Sequence, residues 1–464
     1  MTMQRLWLAG AIALSLGCAP WAGAETTAQE MPGYMAMLGH AISLATVDGK
    51  NEVPTFARYL AQQLESAGFA KSDIEIIPVA HTAALVVHYR GSDATAKPIL
   101  ISAHMDVVAA NADGWTDHAP FKLVKDGPYY YGRGVADMKN NTVAIVATFM
   151  RLKREGFVPK HAMILVFSGD EETAMASTAE LAKRYHDAEF LLNGDAGGGI
   201  YDASLKPVLY KIQAAEKTYA DFLVTATSEG GHSSEPRPDN AIYTLSKALG
   251  NVAAYAFPVR TNAITLASFK AIGAHSQGPL ADAMRAFAAN PHDAKAVATI
   301  SADPAYVGQL RTTCVATELA AGHARNALPE RATANVNCRI FPGVSVASVK
   351  AQLAKAIDNP KVTLTIQQPP PVTSPASPLR PDVMAAVSTV IHQRFPGLDV
   401  VPAMSSGATD SMYFRNAGVP SYGVNPDFAL PGGEHAHGFN ERTLATELPA
   451  GLEFWHALLT RLAG

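Results

Sequence analysis

Imidazole and carboxylate side chains hold divalent cations and move protons, and in this sequence they gather where apolar runs stop. Ser102-Ala103-His104-Met105-Asp106 follows the run from Pro98. In extended chain, residues two apart share a side, so Asp106 can fix the ring of His104 and leave its other nitrogen free for a metal. Gly132-Arg133-Gly134-Val135-Ala136-Asp137-Met138-Lys139 delivers Asp137 at the start of a helix. Two carboxylate oxygens there can bridge two cations or simply cap the helix. Gly169-Asp170-Glu171-Glu172 places three carboxylates in a row, which calls for a cation or open water. Adjacent glutamates also allow one to bind metal while the other works on a water. Asp195, among the glycines of Gly194–Gly199, reads as a ligand or a turn residue. Gly433-Glu434-His435-Ala436-His437-Gly438-Phe439-Asn440-Glu441 reads as a ligand loop or a surface histidine cluster.

The elements around these residues decide between such readings. Residues 31–70 have helical periodicity through Val53, Phe56, Leu60 and Leu64, closed by Gly68. Short apolar strands are expected over 83–89, 98–103, 162–167 and 190–192, with a buried helix over 142–152. Strands alternating with helices predict an α/β fold with a mostly parallel sheet, and ligands of such sheets sit beyond the carboxyl ends of the strands. His104, Glu171, Glu172 and Asp195 all fall at those ends. From Lys217 the pattern changes to half-exposed strands (219–226, 312–319, 332–340) and helices (241–249, 346–357), an inserted α+β domain. The Pro-rich stretch 367–378 returns the chain to the first fold, which ends in a helix over 448–462. The expected boundaries are a leader at 1–24, a first catalytic part at 25–216, the insert at 217–371 and a second catalytic part at 372–464. Imidazole mixed with carboxylate suits zinc, with cobalt or manganese as substitutes, and a shared carboxylate makes a two-metal site.

Composition sets outer limits. A chain of 464 residues with 48% hydrophobic and 17% charged residues can bury the cores of two or three domains. The net charge of −4 and the absence of a basic run argue against nucleic acid as a partner. Arg5, the apolar stretch Leu6–Leu16 and the small residues Ala22-Gly23-Ala24 read as a cleaved secretory leader, so the protein is expected in the periplasm or outside the cell. The residues before Cys18 fit a lipoprotein signal poorly, and no later segment is long and apolar enough to span a bilayer. Cys314 and Cys338 lie on neighbouring predicted strands and either pair or remain two thiols.

From about Tyr34 to the end, the chain resembles the M20 family of metallopeptidases and aminoacylases, most clearly at Ser102–Val108, Gly132–Lys139 and Ser168–Glu172. The resemblance implies a catalytic domain of the zinc-aminopeptidase type with a lid domain that often dimerises. It implies two divalent ions held by His104, Asp137 as bridge, Glu172, Asp195 and His437, the last chosen over His435 because it precedes Asn440-Glu441 by three residues. Glu171 would be the general base and Asp106 the orienting partner of His104. Many relatives carry Asp-Glu-Gly-Gly where this chain has Asp195-Ala196-Gly197-Gly198, which leaves Asp195 as the available ligand. In the lid, His232 of Gly231-His232-Ser233-Ser234 would hold the carbonyl oxygen, reaching it from a second subunit in a homodimer. Asn326 and Arg339 would bind the substrate carboxylate, and Gly407 belongs to a glycine-rich substrate loop. The implied activity is hydrolysis of an amide next to a free carboxylate, with a metal-activated water as nucleophile. Small peptides (a carboxypeptidase or dipeptidase) and N-acyl amino acids (a deacylase) both fit. A catalytically inactive binding protein is disfavoured because Glu171 and the ligand set are intact.

Overall fold

The structure, a computed structural model, describes residues 24–116 and 118–464. Residues 1–23, Cys18 among them, lie outside the described residues, and with them nearly all of the leader expected at 1–24. Two sheets organise the chain. The larger has ten strands, in the order Ile74–Val79, Thr82–Tyr89, Met163–Ser168, Ile99–His104, Phe190–Asn193, Ser421–Gly423, Pro207–Glu216, Gly198–Tyr201 and Phe428–Ala429, with Val400–Ser405 also paired to Pro207–Glu216. Its centre is parallel: strand 99–104 lies between strands 163–168 and 190–193. Antiparallel pairs flank that centre. Strands 99–104 and 163–168 are buried at every position, which is why they read as unbroken apolar runs rather than alternating ones.

Helices cover both faces. On one face, helices Val53–Ser66, Lys139–Arg154, Pro381–Arg394 and Glu447–Ala463 close over a core that includes Phe56, Leu85, Ile101, Phe149 and Trp455. The apolar stripe of helix 53–66 (Val53, Phe56, Leu60, Leu64) follows the helical repeat and is wholly buried. The periodicity over 31–70 resolves into two helices, Ala24–Ser43 and Val53–Ser66, because residues 44–52 turn the chain through Gly49 at φ +77°. On the other face, Leu181, Tyr185 and Phe414 from the shorter helices pack on Val86, Leu100 and Val166.

The second sheet has four antiparallel strands in the order Thr313–Ala321, Arg331–Ile340, Thr218–Thr227 and Val362–Ile366. Strand 218–227 alternates buried and more exposed residues, as a sheet covered on one side must. Helices Ala241–Ala254 and Val346–Ile357 cover that side through Leu245, Val252, Val349 and Leu353. Cys314 and Cys338 face each other in register and form a disulfide. Strand 313–321 is the sheet's edge, and Val315 and Leu319 stand exposed on it.

Between helix 241–254 and strand 313–321 the chain builds a helical insert: Ala263–His275, Pro279–Ala289, Ala294–Ser301 and Val307–Leu310. Asn262 and Asp293 cap two of its helices through their side chains. Phe269, Met284, Phe287, Ile300 and Leu310 give it its own small core. Helix 263–275 rests on strands 207–216 and 400–405 of the large sheet.

Candidate metal centre

The parallel strands end together, and their last residues converge. His104 closes strand 99–104, fully buried. Its Nε2 lies 3.0 Å from Asp137 Oδ1 and 3.7 Å from Asp195 Oδ1. The other oxygen of Asp137 lies 3.0 Å from Nε2 of His437, which is also 3.0 Å from Glu172 Oε1. Asp137 thus stands between two imidazoles, one oxygen toward each, as a carboxylate bridging two cations must. Ligand atoms of His104, Asp137 and Glu172 all lie within 4.8 Å of one another. Nitrogen and carboxylate oxygen in this mixture fit zinc, and equally the other divalent metals that accept both donors.

Backbone traps hold these candidate ligands in place. Oε1 of fully buried Glu441 accepts hydrogen bonds from the backbone N–H groups of Gly134, Ala136 and Asp137, and Arg133 donates to its other oxygen. The turn carrying Asp137 is therefore tied to the loop carrying His437, four residues before Glu441. Gly134 sits at φ +89°, and a side chain there would press on Val107 and Lys139. Buried Lys139 closes the turn from below by donating to the carbonyls of Ala41 and Leu44. Asp195 is held by its own N–H, which donates to Asn193 Oδ1. His437 sits at φ +62° and is the histidine whose ring meets Asp137 and Glu172, although about half of that side chain stays exposed. His435, at φ +55°, stays exposed beside the carbonyl of Phe439.

Asp106 does more than the sequence suggests. The nearest partner of His104 Nδ1 is the backbone carbonyl of Asp106, at 3.0 Å; the carboxylate is at 3.5 Å. That carboxylate is occupied elsewhere, accepting hydrogen bonds from the N–H groups of Glu171 and Glu172. One residue fixes both the imidazole and the turn that presents the two glutamates. Asp410 supports the same strand end by accepting from the hydroxyls of Ser168 and Thr178, and burial pushes its carboxyl up to about 7.

Electrostatics follow from burying this many acids together. Burial, and then the charge of Asp195, raise the Glu171 carboxyl well above the usual range. Burial opposes ionisation of Asp137 as well, but hydrogen bonds from His104 and His437 hold it low. Hydrogen bonds to Asp137 and Glu172 push His437 up to about 10. Glu171 accepts no hydrogen bond from the described residues, so its carboxylate is free to work in the cleft it lines.

That cleft, of about 620 Å³, brings Glu171, Glu172 and His437 together with Arg339, Tyr219 and Gly407. Arg339 reaches it from strand 331–340 of the lid, its guanidinium 4.6 Å from the ring of Tyr219. His232 and Asn326 do not join it. They sit beside each other on an exposed two-stranded pairing of Gly231–His232 with Ala327–Leu328, where Ser233 N–H donates to the carbonyl of Asn326 and the His232 ring meets Ser234. The lid's sheet carries Arg339 at the end next to the large sheet and this short pairing at the other. Glu441 and Asp410 are the supporting residues whose roles the sequence motifs left unread; their contacts run to residues more than 200 positions away.

Residues 100–461 match the family model of peptidase family M20/M25/M40. A probable carboxypeptidase S-like 2 of Dictyostelium discoideum is 28% identical over 398 residues, 81% of this chain and 73% of that protein. The N-fatty-acyl-amino acid synthase/hydrolase PM20D1 of Homo sapiens is 25% identical, over 92% of this chain and 89% of its own. Among solved structures, the di-peptidase Dug1p of Saccharomyces cerevisiae superposes with a TM-score of 0.68 at 17% identity, covering 94% of this chain and 97% of that one. The YXEP protein of Bacillus subtilis, a dinuclear metal binding peptidase from the M20 family, does so at 0.57 and 14%, covering 94% and 98%. The family match spans the converging strand ends and the lid between them, and the chain belongs to the metallopeptidases of family M20/M25/M40.

Proposed function

We propose that this protein is an exported two-metal hydrolase that cleaves an amide bond next to a free carboxylate. The observation that carries the reading is Asp137 between His104 and His437, with Glu172 and Asp195 beside them and the free carboxylate of Glu171 in the cleft that holds Arg339. His104, Asp137 and Asp195 would hold one ion, and Asp137, Glu172 and His437 the other. Two divalent cations there, zinc foremost, would bring the pKa of a water to about 7 and polarise the scissile carbonyl.

The chain's own residues supply the rest. Glu171 takes a proton from the attacking water and passes it to the leaving nitrogen, and burial, which raises its carboxyl, makes it a stronger base than an ordinary glutamate. Asp106 keeps Glu171 and Glu172 on their turn through two backbone hydrogen bonds. Arg339 can fork onto the substrate carboxylate with two parallel hydrogen bonds. Peptides and N-acyl amino acids both offer an amide beside a carboxylate, and the relatives carry names of both kinds. His232 and Asn326 would act on a substrate bound to a second copy, with the exposed lid edge at Val315 and Leu319 as the meeting surface. The leader sequence supports export, and a disulfide in the lid suits an oxidising compartment. Among the described residues no helix is long and apolar enough to cross a membrane.

Glu171→Gln tests the reading. The variant keeps the wild-type metal content by elemental analysis and loses about 10²–10⁴-fold in kcat on dipeptides and N-acyl amino acids. Near-normal turnover in that variant would remove Glu171 from the chemistry and the proposal with it.

A further inference from the structure

The chain passes between the large sheet and the lid twice, and one buried carboxylate touches both passages. On the way out, strand 207–216 ends at Glu216, and Thr218 already pairs with Ile340 of the lid. On the way back, the N–H of Gln367 donates to the carbonyl of Asp221 in the lid, and the N–H of Ser377 to the carbonyl of Ala214 in the large sheet. Ser374 lies between those anchors. Its hydroxyl donates to Glu216 Oε1 at 3.0 Å, and its N–H donates to Thr218 Oγ1 at 3.1 Å. Glu216, Thr218 and Ser374 are all buried.

The remaining contacts of Glu216 run the other way, toward the metal centre. Thr409 Oγ1 donates to Oε2 at 3.0 Å and Gln213 Nε2 at 3.2 Å, while buried Arg415 stands 2.8 Å from Oε1. Three donors and a guanidinium fit an ionised carboxylate. A threonine hydroxyl has one proton, and Thr409 gives it to Glu216. Its lone pairs accept from Asn193 Nδ2 at 3.3 Å and from the N–H of Ser411 at 3.2 Å. Asn193 Oδ1 in turn accepts the N–H of Asp195 at 2.8 Å. Hydrogen bonds therefore run without a break from Ser374 through Glu216, Thr409 and Asn193 to Asp195. The path passes beside Gly407 and Ala408, which line the cleft of Arg339. Arg339 itself pairs with Tyr219, the third residue after Glu216.

Holding two sheets together does not require a buried charge. Burial disfavours the charges of both Glu216 and Arg415, and apolar residues in place of such a pair are often neutral or stabilising. Directed hydrogen bonds do what apolar contact does not: they fix distance and angle. The hydrolase reading above, on which this inference rests, needs that. Arg339 grips the substrate carboxylate from the lid while the amide carbon meets the metal centre on the large sheet, and an error of about 1 Å between them costs about 100-fold in rate. The geometry points to Glu216 as a positioning residue that keeps Arg339 in register with the metal-binding half, by tying both passages to the loop of Gly407 and to Asp195. It touches neither substrate nor metal.

Ser374→Ala cuts the tie on the lid side and leaves Thr409, Asn193 and the candidate ligands in place. Made alone, it lowers kcat/KM for an N-acyl amino acid about tenfold. Made on top of Arg339→Ala, it costs less than about twofold, because no grip remains to be kept in register. Equal losses in the two backgrounds would show a tie that only stabilises the fold and would overturn the inference, with the hydrolase reading intact. Thr409→Val breaks the path at its middle and lowers kcat/KM at least about tenfold, while Thr409→Ser, which keeps the hydroxyl, stays within about threefold of the wild type. Hydrogen exchange reads the path without turnover. In Ser374→Ala protein the N–H groups of Asp195 and Ser411 exchange at least about threefold faster than in the wild type. Unchanged exchange at both overturns the inference. Faster exchange in a protein whose wild type hydrolyses no amide upholds the tie to Asp195 and sinks the hydrolase reading instead.

Discussion

The large sheet and the lid contribute residues to the same chemistry by different routes. On the large sheet, His104, Glu171 and Asp195 stand at or just past the ends of adjacent parallel strands, so the fold of one chain brings them together. Asp137 and His437 come from loops, and Glu441 ties those loops to each other. The lid is joined to that sheet at one end. Arg339 lies near the junction and reaches the cleft, while His232 and Asn326 lie at the far pairing of 231–232 with 327–328 and do not. A residue's sheet position therefore decides whether its own chain can bring it to the cleft, and the remote pairing could join the site only through closure or a second copy.

Four variants press on that contrast. His104→Ala removes a buried imidazole proposed as a ligand from the self-contained half, and the largest loss is expected: activity falls below detection and elemental analysis finds less than the wild-type metal. His232→Ala keeps the metal content and lowers kcat about 10²–10³-fold, the cost of removing an oxyanion donor. Mixing that protein with Glu171→Gln protein restores activity, since one hybrid site holds both intact groups. Failure to recover, with subunit exchange demonstrated, would return His232 to its own chain. Arg339→Ala raises KM about 10–100-fold and changes kcat less, because a charge-assisted pair to the substrate carboxylate is worth about 1.5–3 kcal/mol. An effect on kcat alone would take Arg339 out of carboxylate binding. Replacing both Cys314 and Cys338 with serine changes turnover least. It removes a link across 24 residues and costs the lid about 2–4 kcal/mol, read as an earlier thermal transition.

Much of the large sheet is legible in the sequence because its signals are local. Unbroken apolar runs mark strands 99–104 and 163–168, and the polar residues that end them are the ones that converge. The helical insert is not legible in the same way. Helix 263–275 sends Ile264 into the core of the large sheet and Phe269 into the insert's own core, so it is apolar on more than one side and shows no single stripe. The split of residues 31–70 into two helices turns on Gly49, which a repeat of apolar residues does not reveal. At the site, residue type and motif order pick out the residues that converge, but the second task of Asp106 and the clamp made by Glu441 are contacts over 65 and about 305 positions. Neither leaves a periodic trace.

The central claim is that one chain binds two ions through a shared Asp137. Zinc titrated into chelator-treated protein, followed by calorimetry with elemental analysis of the product, measures it directly. The account predicts two zinc ions per chain in the wild type and one in His437→Ala, with the site around His104, Asp137 and Asp195 still filled. A single ion in the wild type, or two that survive the loss of His437, would contradict it.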